Sequence, residues 1–414
     1  MRDERDLYQR VWNELQKHNQ LQLLKWYASL GEKERKTLLL QLNAIDYTNL
    51  EQALNRQEKR QEDLSIEPID VLKLAEIKRN KETLQKLGIN EISEGRVAAV
   101  LLAGGQGTRM GLDGSKGMLD IGLEKPLYLF EIVVRKLRKT ADLAGCYIDL
   151  YIMLNERDVE PVKEFFEKHD YFGYPRENIL FFSQKMYPKL FFDGKIALEQ
   201  KGRVAMAPGG NGAWFEALEQ NHFVERMRKR HIKWINLLSV DNPLYNIIDT
   251  AFLGALIKKG GQLGVQVVEK NSPYEKVGVI CKKGGKPYVK EYYEMSRKEQ
   301  EAVNEQNELC YRYGVILNYM FDLNEMENIH TVNLPVHLAV KKIPFIDQCG
   351  KTVLPEQENG YIAERLALDM IHLFDRVLVY EIDRKKGFAP IKNRVGEDSI
   401  ESARKLLVEN GYVL

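Results

Sequence analysis

Glycines and two cations are concentrated in one short stretch of this chain. The stretch AGGQGTRMGLDGSKG runs from Ala103 to Gly117 and directly follows the apolar run RVAAVLLA. A loop this rich in glycine lets backbone N–H groups converge on an anion without obstruction by side chains. Arg109 and Lys116 add positive charge inside the same loop. These residue types indicate a loop that binds phosphate groups, and they suit a triphosphate.

The spacing does not match two other glycine loops that bind phosphates. A dinucleotide-binding fingerprint requires GxGxxG, but after Gly105 and Gly107 the next glycine is Gly111, one residue too late. The P-loop requires Gly-Lys followed by Ser or Thr, whereas Lys116 precedes Gly117 in this chain. A purely structural turn remains an alternative, although a turn would not require two cations.

A candidate metal ligand follows a second apolar run. Asp241 comes directly after WINLLSV, within the sequence SVDNP. A carboxylate at the carboxyl end of a strand can bind Mg²⁺, which usually takes one or two carboxylates together with phosphate oxygens. An Asp before Asn-Pro is also a common turn former. From these residues alone both interpretations stay open.

Alternating strands and helices are expected to position these groups. The apolar runs RVAAVLLA, YIDLYIML, NILFF and WINLLSV predict buried strands, and helices are predicted from Pro126, in PVKEFFEKH and near residues 213–230. This alternation specifies an α/β sheet, whose ligands bind outside the carboxyl ends of the strands. From Leu263 onward, shorter extended segments such as PYVKEYYE and YGVILNYMF predict antiparallel strands added to a mixed sheet.

The regions on either side of this central part have different residue patterns. Residues 1–94 show apolar residues at helical spacing and no strand pattern, which predicts an N-terminal helical region. Residues 95–394 are expected to form the catalytic domain. Residues 395–414 are expected to form a helical tail, with Ser399 and Ser402 as possible N-caps and Gly411 as its stop.

Composition excludes several classes of partner. Lys and Arg number 61 against 60 Asp and Glu, a net charge of +1, so no field would collect nucleic acid or an anionic membrane. No stretch approaches the roughly 20 apolar residues of a membrane span, and the start of the chain is charged. We therefore expect a cytoplasmic protein whose cysteines are reduced thiols. The sequence does not determine an oligomeric state.

An ordered series of motifs resembles the UDP-sugar pyrophosphorylase family, and most closely its UDP-N-acetylglucosamine pyrophosphorylase branch. The series spans roughly residues 96–394 and consists of LLAGGQGTRMG, SKGM, HDYFGYPRENILFFSQ, FDGKIALEQKGRVAMAPGGNGA, SVDNP, VVEK, VGVI, EYYEMS, HLAVKKIPFID and GFAPIKN. The resemblance implies a Rossmann-like nucleotidyltransferase fold of the glycosyltransferase-A type. It also implies Mg²⁺ as cofactor, UTP and a sugar 1-phosphate as substrates, and release of pyrophosphate and a UDP-sugar.

The resemblance also implies roles for individual residues. Arg109 is expected to hold the leaving β- and γ-phosphates, Lys116 to lie against the nucleotide phosphates, and Lys392 to reach them from a distant part of the chain. Asp241 is expected to bind the metal. The nucleotide is expected at Leu102, Ala103, Gly104, Gly105, Gln184 and Gly210, and the sugar at Asn211, Glu291 and Tyr292. The ordinary alternatives are surface cations for the lysines and an aromatic strand residue for Tyr292. Alternation along PYVKEYYE would place Glu291 and Tyr292 on opposite faces.

Two departures from the family pattern concern the choice of sugar. The family usually has an acidic residue where this chain has Gly209, and it has an Asn that contacts the sugar where this chain has Val315. Valine cannot form a side-chain hydrogen bond. N-acetylglucosamine 1-phosphate is the leading acceptor, and glucose, galactose and N-acetylgalactosamine 1-phosphates are rivals. A protein that binds UDP-sugars or acts as a scaffold without catalysis is the alternative from another class. The presence of Arg109, Lys116 and Asp241 favours catalysis.

Overall fold

The protein folds into two compact units, as seen in a computed structural model that describes residues 2–58, 65–105, 114–329 and 334–414. The first unit consists of Met1–Asp63, Lys185–Ala213 and Leu334–Leu366. The second unit consists of Leu64–Gln184, Trp214–Asn333 and Ala367–Leu414. In these described ranges no helix is both long and apolar enough to cross a bilayer.

The helices and strands are numbered along the chain. The helices are α1 (Arg2–Lys17), α2 (Glu32–Asn43), α3 (Tyr47–Glu58), α4 (Leu74–Arg79), α5 (Lys81–Ser93), α6 (Leu129–Ala144), α7 (Val159–Lys168), α8 (Trp214–Gln220), α9 (Phe223–Lys229), α10 (Thr250–Lys259), α11 (Arg297–Glu301), α12 (Leu323–Asn328), α13 (Arg384–Gly387) and α14 (Ile400–Glu409). The strands are β1 (Ile66–Glu67), β2 (Val97–Leu102), β3 (Asp149–Leu154), β4 (Ile179–Ser183), β5 (Met186–Phe191), β6 (Leu198–Gln200), β7 (Arg203–Val204), β8 (Met206–Pro208), β9 (Trp234–Ser239), β10 (Leu263–Glu269), β11 (Val279–Lys283), β12 (Lys286–Lys290), β13 (Tyr313–Asp322), β14 (His337–Lys341), β15 (Phe345–Ile346), β16 (Thr352–Val353), β17 (Gly360–Glu364) and β18 (Val377–Glu381).

The second unit is built on a mixed sheet. Strands β9, β2, β3 and β4 are adjacent and parallel. Strand β13 pairs antiparallel with β9 and with β10, and β18 then pairs parallel with β10. Every residue of β2 and β3 is buried, as expected for strands covered on both faces. The predicted α/β fold with a mixed sheet is confirmed.

The first unit has a separate sheet and core. Its main sheet has the strand order β14-β17-β5-β8 in the described residues. Apolar side chains of α1, α2 and α3 pack against this sheet, and Leu15, Leu38 and Leu39 are fully buried together with Leu190 and Val204. The helical periodicity of the N-terminal residues therefore reflects a real buried stripe.

Helices α5 and α10 of the second unit approach each other at backbone distance. A Cβ atom on Gly88 would lie 2.0 Å from the carbonyl oxygen of Thr250, and one on Gly254 would lie 1.8 Å from that of Leu84. Real Cβ atoms do not approach carbonyl oxygens so closely, so both positions require glycine. This contact fastens α5 to the helix that follows the site-bearing strand β9.

Several boundaries differ from those predicted. The helix expected from Pro126 begins at Leu129, and the single helix expected near residues 213–230 is broken into α8 and α9. The break falls where His222 adopts φ 57°, a conformation that interrupts a helix. The short strand β1 lies in a region for which no strand was predicted, because two residues cannot show a period-two pattern.

The division into units does not coincide with the predicted domain boundaries. The boundary between residues 94 and 95 falls inside the second unit, because α5 packs on α10 there. Residues 185–213 and 334–366, which were expected within the catalytic domain 95–394, share the core of the first unit with the N-terminal helices. The C-terminal residues 395–414 belong to the second unit, where Ser399 caps α14 as predicted by accepting a bond from the backbone N–H of Ser402.

We expect the substitution Gly254→Ala to destabilise the second unit. Alanine is the better helix former by about 1 kcal/mol, but overpacking a close contact costs about 1–3 kcal/mol, so the melting temperature should fall. Lys86→Ala, on the exposed side of α5, is the control and should change the free energy of unfolding by less than about 0.5 kcal/mol. An unchanged or raised melting temperature for Gly254→Ala would contradict the helix contact.

Candidate active site

The glycine loop leaves the sheet at the carboxyl end of β2. Leu102 and Ala103 are buried, and the backbone N–H of Ala103 donates to the carbonyl of Met153 on β3 at 2.8 Å. The loop returns where the backbone N–H of Lys116 donates to the carbonyl of Gly105 at 3.3 Å. Residues 106–113, and with them the predicted phosphate ligand Arg109, lie outside the described residues.

Ser115 fastens the returning end of this loop. Its side chain is 1% exposed, and its hydroxyl donates to the carbonyl of Ala103 at 2.9 Å while accepting from the N–H of Gly117 at 3.3 Å. Gly117 packs on the ring of Phe130, whose Cζ would lie 2.2 Å from an added Cβ. Sequence reasoning missed Ser115. Its position between a glycine and the predicted cation was the available signal.

The side chain of Lys116 bridges two distant parts of the chain. Its Nζ donates to the carbonyl oxygen of Ile391 at 3.0 Å and lies 4.0 Å from Oδ2 of Asp241. The Lys116 and Asp241 side chains are 15% and 23% exposed, so both groups remain accessible to a ligand. The predicted cation Lys116 and the predicted metal ligand Asp241 therefore lie side by side. The alternative that Lys116 is a freely solvated surface cation is wrong, because its ammonium is mostly buried and hydrogen-bonded.

Asn242 holds the C-terminal segment at this place. Its amide Nδ2 donates to the carbonyl of Gly387 at 2.9 Å, and its Oδ1 accepts from the N–H of Ala389 at 2.9 Å. The carbonyl of Asp241 accepts from the N–H of Ile391 at 2.8 Å. The Asn that follows Asp241 thus forms the turn, while the Asp241 carboxylate stays available. Asn242 was not singled out from the sequence, although it stands inside the quoted motif SVDNP.

Lys392 follows directly on this tethered segment. Its backbone N–H donates to the carbonyl of Asp398 at 2.6 Å, and its side chain is exposed. Burial raises the pKa of the Asp398 carboxyl, and the positive charges of Lys392 and Arg384 oppose this increase. The structure brings the backbone at Lys392 next to Lys116 and Asp241, and the Lys392 ammonium lies close enough to Asp398 to affect that pKa.

Gln184 lies over the first glycine of the loop. It follows β4, its backbone N–H donates to the carbonyl of Leu154 at 2.8 Å, and its side chain is 6% exposed. An added Cβ on Gly104 would lie 2.6 Å from Nε2 of Gln184, so the Gln184 side chain would have to shift to admit one. Among the described residues, no atom lies within 4 Å of a Cβ added to Gly105. The predicted nucleotide residues of the second unit are thus gathered at neighbouring strand ends.

Asp241 is the one residue of this site for which the sequence predicts metal binding. Within the described part of the chain no three His, Cys, Asp or Glu side chains gather as a metal cluster. Among the described residues, Lys116 is the charged partner of the Asp241 carboxylate, at 4.0 Å. A lone accessible carboxylate fits Mg²⁺, since this ion commonly takes one or two carboxylates and completes its shell with phosphate oxygens and water.

Comparison with known proteins decides the family. A model of the UTP–glucose-1-phosphate uridylyltransferase family matches residues 46–407. The chain belongs to this family. The resemblance predicted from the glycine loop and the later motifs is confirmed, and the chain is an enzyme of the uridylyltransferase class.

Relatives and solved structures agree with this assignment. UDP-N-acetylhexosamine pyrophosphorylase-like protein 1 of Homo sapiens is 32% identical over 422 residues, which cover 96% of this chain and 83% of the relative. UDP-N-acetylglucosamine pyrophosphorylase of Saccharomyces cerevisiae is 33% identical over 417 residues, covering 97% and 86%. The crystal structure of the Trypanosoma brucei uridine diphosphate N-acetylglucosamine pyrophosphorylase in complex with an inhibitor superposes with a TM-score of 0.82 at 26% identity, covering 98% of this chain and 84% of that one.

The predicted sugar residues of this uridylyltransferase lie beyond a strand end. Strand β12 stops at Lys290, and Glu291 and Tyr292 lie in a turn where the N–H of Glu294 donates to the carbonyl of Glu291 at 2.9 Å. The period-two argument for their side chains does not apply to them, because both residues lie beyond the end of the strand. Tyr292 is 37% exposed and packs edge-on against Tyr293, with ring centroids 5.3 Å apart.

Val315 lies beside the Glu291 carboxylate. A Cβ on Gly278 would be 3.5 Å from both Oε2 of Glu291 and Cγ2 of Val315, so these two groups flank the same glycine. The backbone N–H of Val315 donates to the carbonyl of Gly278 at 2.9 Å. The departure from the family pattern at Val315 thus places a methyl group next to a predicted sugar-contacting carboxylate.

Gly209, Gly210 and Asn211 belong to the first unit. Their loop is held by the backbone of Arg365, whose N–H donates to the carbonyl of Gly209 at 2.9 Å. Gly210 has φ 80°, a conformation that favours glycine. A Cβ there would also lie 2.3 Å from the Arg365 carbonyl oxygen, which is a second reason for glycine at this position. A Cβ on Gly209 would lie 2.3 Å from the Tyr187 ring, which leaves no room for the acidic residue usual in the family.

We expect Asn242→Ala to impair both stability and uridylyl transfer. The change leaves the Gly387 carbonyl and the Ala389 and Leu244 N–H groups without their side-chain partner, and a buried unsatisfied group costs about 1–3 kcal/mol. The melting temperature should fall. The value of kcat/KM should also decrease, because Asp241 and the segment ending at Lys392 are no longer fixed in position relative to each other. Asn221→Ala, which removes one bond at the end of α8, is the matched control. Unchanged kinetics in Asn242→Ala would show that this tether does not position the site.

Proposed function

We propose that this uridylyltransferase uses UTP and N-acetylglucosamine 1-phosphate, with Mg²⁺, to form UDP-N-acetylglucosamine and pyrophosphate. The observation that carries the proposal is the meeting of Lys116, Asp241 and the segment Ile391–Lys392 beside a glycine loop at the ends of parallel strands. The choice of sugar is supported by the names of the yeast and trypanosomal relatives and by the sequence resemblance to that branch.

The proposed reaction is a displacement at phosphorus. An oxygen of the sugar 1-phosphate forms a bond to the α-phosphorus of UTP, and the bond from that phosphorus to the bridging oxygen of pyrophosphate breaks. Such transfers are catalysed chiefly by positioning the reactants and by neutralising their charge. The groups gathered here, a cation and a carboxylate beside open backbone, are suited to both tasks.

Lys116 is proposed to neutralise the charge that develops at the α-phosphate. Its ammonium is held by the Ile391 carbonyl and by Asp241, so it has little freedom to relax when a ligand enters. A donor fixed in place before the reaction stabilises the transition state without reorganisation. Arg109 is proposed to hold the leaving pyrophosphate, and Lys392 to add charge from the C-terminal segment.

Gly104 and Gly105 are proposed to admit the nucleotide to the sheet edge. The side chain of Gln184 covers Gly104, where its amide can read the edge of a base, and no described atom lies within 4 Å of a Cβ added to Gly105. Gly210 is proposed to contact the base through its backbone, and Asn211 is proposed to contact the sugar. In the second unit, Glu291 and Tyr292 are proposed to contact the sugar, and Val315 flanks Gly278 together with the Glu291 carboxylate.

Mg²⁺ is proposed to be held by Asp241 together with the substrate phosphates. When bound, the ion would neutralise phosphate charge and orient phosphate oxygens. Asp241 is suited to this role because its turn is made by Asn242 and its carboxylate is not used as a cap. The Lys116 ammonium lies 4.0 Å from Oδ2 of this carboxylate, so the cation and the proposed metal ligand would act on the same phosphate groups.

We expect Asp241→Asn to remove most Mg²⁺-dependent turnover while the fold is retained. Loss of a charged group that stabilises the transition state typically costs about 10²–10³ in kcat. Pyrophosphate release would be measured at increasing Mg²⁺, together with the melting temperature, and chelation of the metal should abolish turnover of the unmodified enzyme. Asp142→Asn, which removes an exposed helix carboxylate, is the control. Near-normal turnover of Asp241→Asn at low Mg²⁺ would refute the metal role.

The sugar is tested with a panel of 1-phosphates and one variant. Turnover should be highest with N-acetylglucosamine 1-phosphate among the N-acetylglucosamine, N-acetylgalactosamine, glucose and galactose compounds. Val315→Asn introduces a polar group beside Glu291, and it should shift the ratio of kcat/KM values between acetylated and unacetylated sugars by about tenfold or more. Val408→Asn, on the exposed face of α14, should leave the ratio unchanged. Absence of turnover with every sugar would overturn the proposed activity.

A further inference from the structure

A second cavity lies in the second unit, bounded by helices and by the turn that follows the site strand. It has a volume of about 450 Å³. Its walls come from α4, α5 and α6, from residues 246–251, and from the chain between the end of β18 and α13. Apolar side chains, among them Ile77, Leu143 and Ile247, line it together with charged ones. None of the predicted site residues lines this cavity.

Five lysines line the cavity, from four different helices. They are Lys78 of α4, Lys81 of α5, Lys136 and Lys139 of α6, and Lys386 of α13. Within the described residues Lys78, Lys81, Lys139 and Lys386 make no ion pair shorter than 4.0 Å. Like charges brought together from separate helices repel one another, so an anion between them would relieve an unfavourable field.

The acidic residues of the cavity are engaged with backbone N–H groups. Asp249 caps α10 by accepting from the N–H groups of Ala251 and Phe252 at 2.9 and 3.1 Å. Glu381 accepts from the N–H of Leu74 at 2.8 Å, and Asp383 accepts from that of Lys385 at 3.1 Å. These three carboxylates are held at helix starts, and five lysines line the same cavity. The excess charge of the lining is therefore positive.

Lys136 connects the cavity with the active site. Its Nζ donates to the carbonyl oxygens of Pro243 and Tyr245 at 2.6 and 2.8 Å. Burial, with a smaller contribution from Lys139, lowers the pKa of Lys136 to about 7, and a bound anion would favour its charged form. Pro243 and Tyr245, whose carbonyls Lys136 holds, follow Asp241 and Asn242 in the chain.

A second link runs through α13. Lys386 and Gly387 line the cavity, and the carbonyl of Gly387 accepts the bond from Asn242 that tethers the C-terminal segment. Four residues beyond, Ile391 accepts the bond from Lys116. Residues 241–246 and 386–391 therefore each run from the active site to the cavity: Asp241 and Ile391 stand at Lys116, and Asn246, Lys386 and Gly387 line the cavity.

We propose that this cavity binds a small phosphorylated organic anion, and that its occupancy changes the position of Asp241 and Lys392 and hence the rate of uridylyl transfer. The lysines supply the contacts to phosphate, and the apolar part of the lining accommodates the organic portion. A change confined to two short segments suffices for coupling, because each segment has residues at both sites, Asp241 and Asn246 in one and Ile391 and Lys386 in the other. Nothing in the proposed reaction uses these lysines.

Glycerol 3-phosphate is the probe for binding, with inorganic phosphate as the probe without an organic portion. Each would be titrated calorimetrically into the full-length protein in the presence of saturating UDP, which occupies the nucleotide site. The triple variant Lys78→Gln/Lys81→Gln/Lys139→Gln should bind glycerol 3-phosphate about tenfold or more weakly than the unmodified protein. The control Lys86→Gln/Lys258→Gln/Lys405→Gln removes the same charge from exposed helix positions outside the cavity and should bind normally.

Three results would overturn the binding site: no binding to the unmodified protein, equal binding to the cavity triple variant, or equal loss in both triple variants. Equal affinity for inorganic phosphate would overturn the assignment of an organic ligand. Because binding is read out without turnover, these outcomes are independent of the proposed substrate.

Coupling is tested separately by kinetics. Glycerol 3-phosphate should change kcat or the KM for UTP by about twofold or more in the unmodified protein and in the control triple variant, and should have no effect in the cavity triple variant. An effect of equal size in all three proteins would show competition at the active site and would overturn the coupling. No effect in any protein that binds the probe would overturn it as well.

Discussion

The candidate site depends on the hydrogen bonds that fasten residues 387–391 to the turn after β9. Asn242 supplies a donor and an acceptor to this segment, and the Asp241 carbonyl accepts from Ile391. Because the turn and the segment are far apart in the chain, neither can hold Lys116 by itself. Together they provide the Ile391 carbonyl and the Asp241 carboxylate between which the Lys116 ammonium lies. Three segments are thereby locked in a single arrangement.

Glycines serve two different physical purposes around this arrangement. Gly104 and Gly117 allow a side chain to pack against the backbone, namely the Gln184 amide and the Phe130 ring. Gly88 and Gly254 instead allow two helices to touch at the level of their backbones. Gly105 has no neighbour of this kind among the described residues. Packing within the protein therefore explains the glycines at positions 88, 104, 117 and 254. The sequence of a glycine-rich loop does not by itself reveal such contacts.

Charge is distributed unevenly even though the chain is nearly neutral, with a net charge of +1. At the active site a lysine and an aspartate are 4.0 Å apart, so their charges are largely balanced until a ligand enters. In the cavity beyond the turn, lysines from four helices meet carboxylates that already accept backbone bonds. The overall charge predicts no nonspecific affinity for polyanions, but it says nothing about such local sites.

The sequence by itself determined the buried parallel strands and the loop chemistry, because continuous apolar runs and clustered glycines are local signals. It also determined the family through an ordered series of motifs, and Lys116 and Asp241 were found in this way. The tertiary structure alone decided which distant segments meet: Asn242 with Gly387, Lys116 with Ile391, and the three separated stretches that form the core of the first unit. Such pairings join residues with no common local pattern, so no periodicity could predict them. The physical reason is that hydrogen bonds and packing act between neighbours in space, whereas a sequence pattern reports neighbours along the chain.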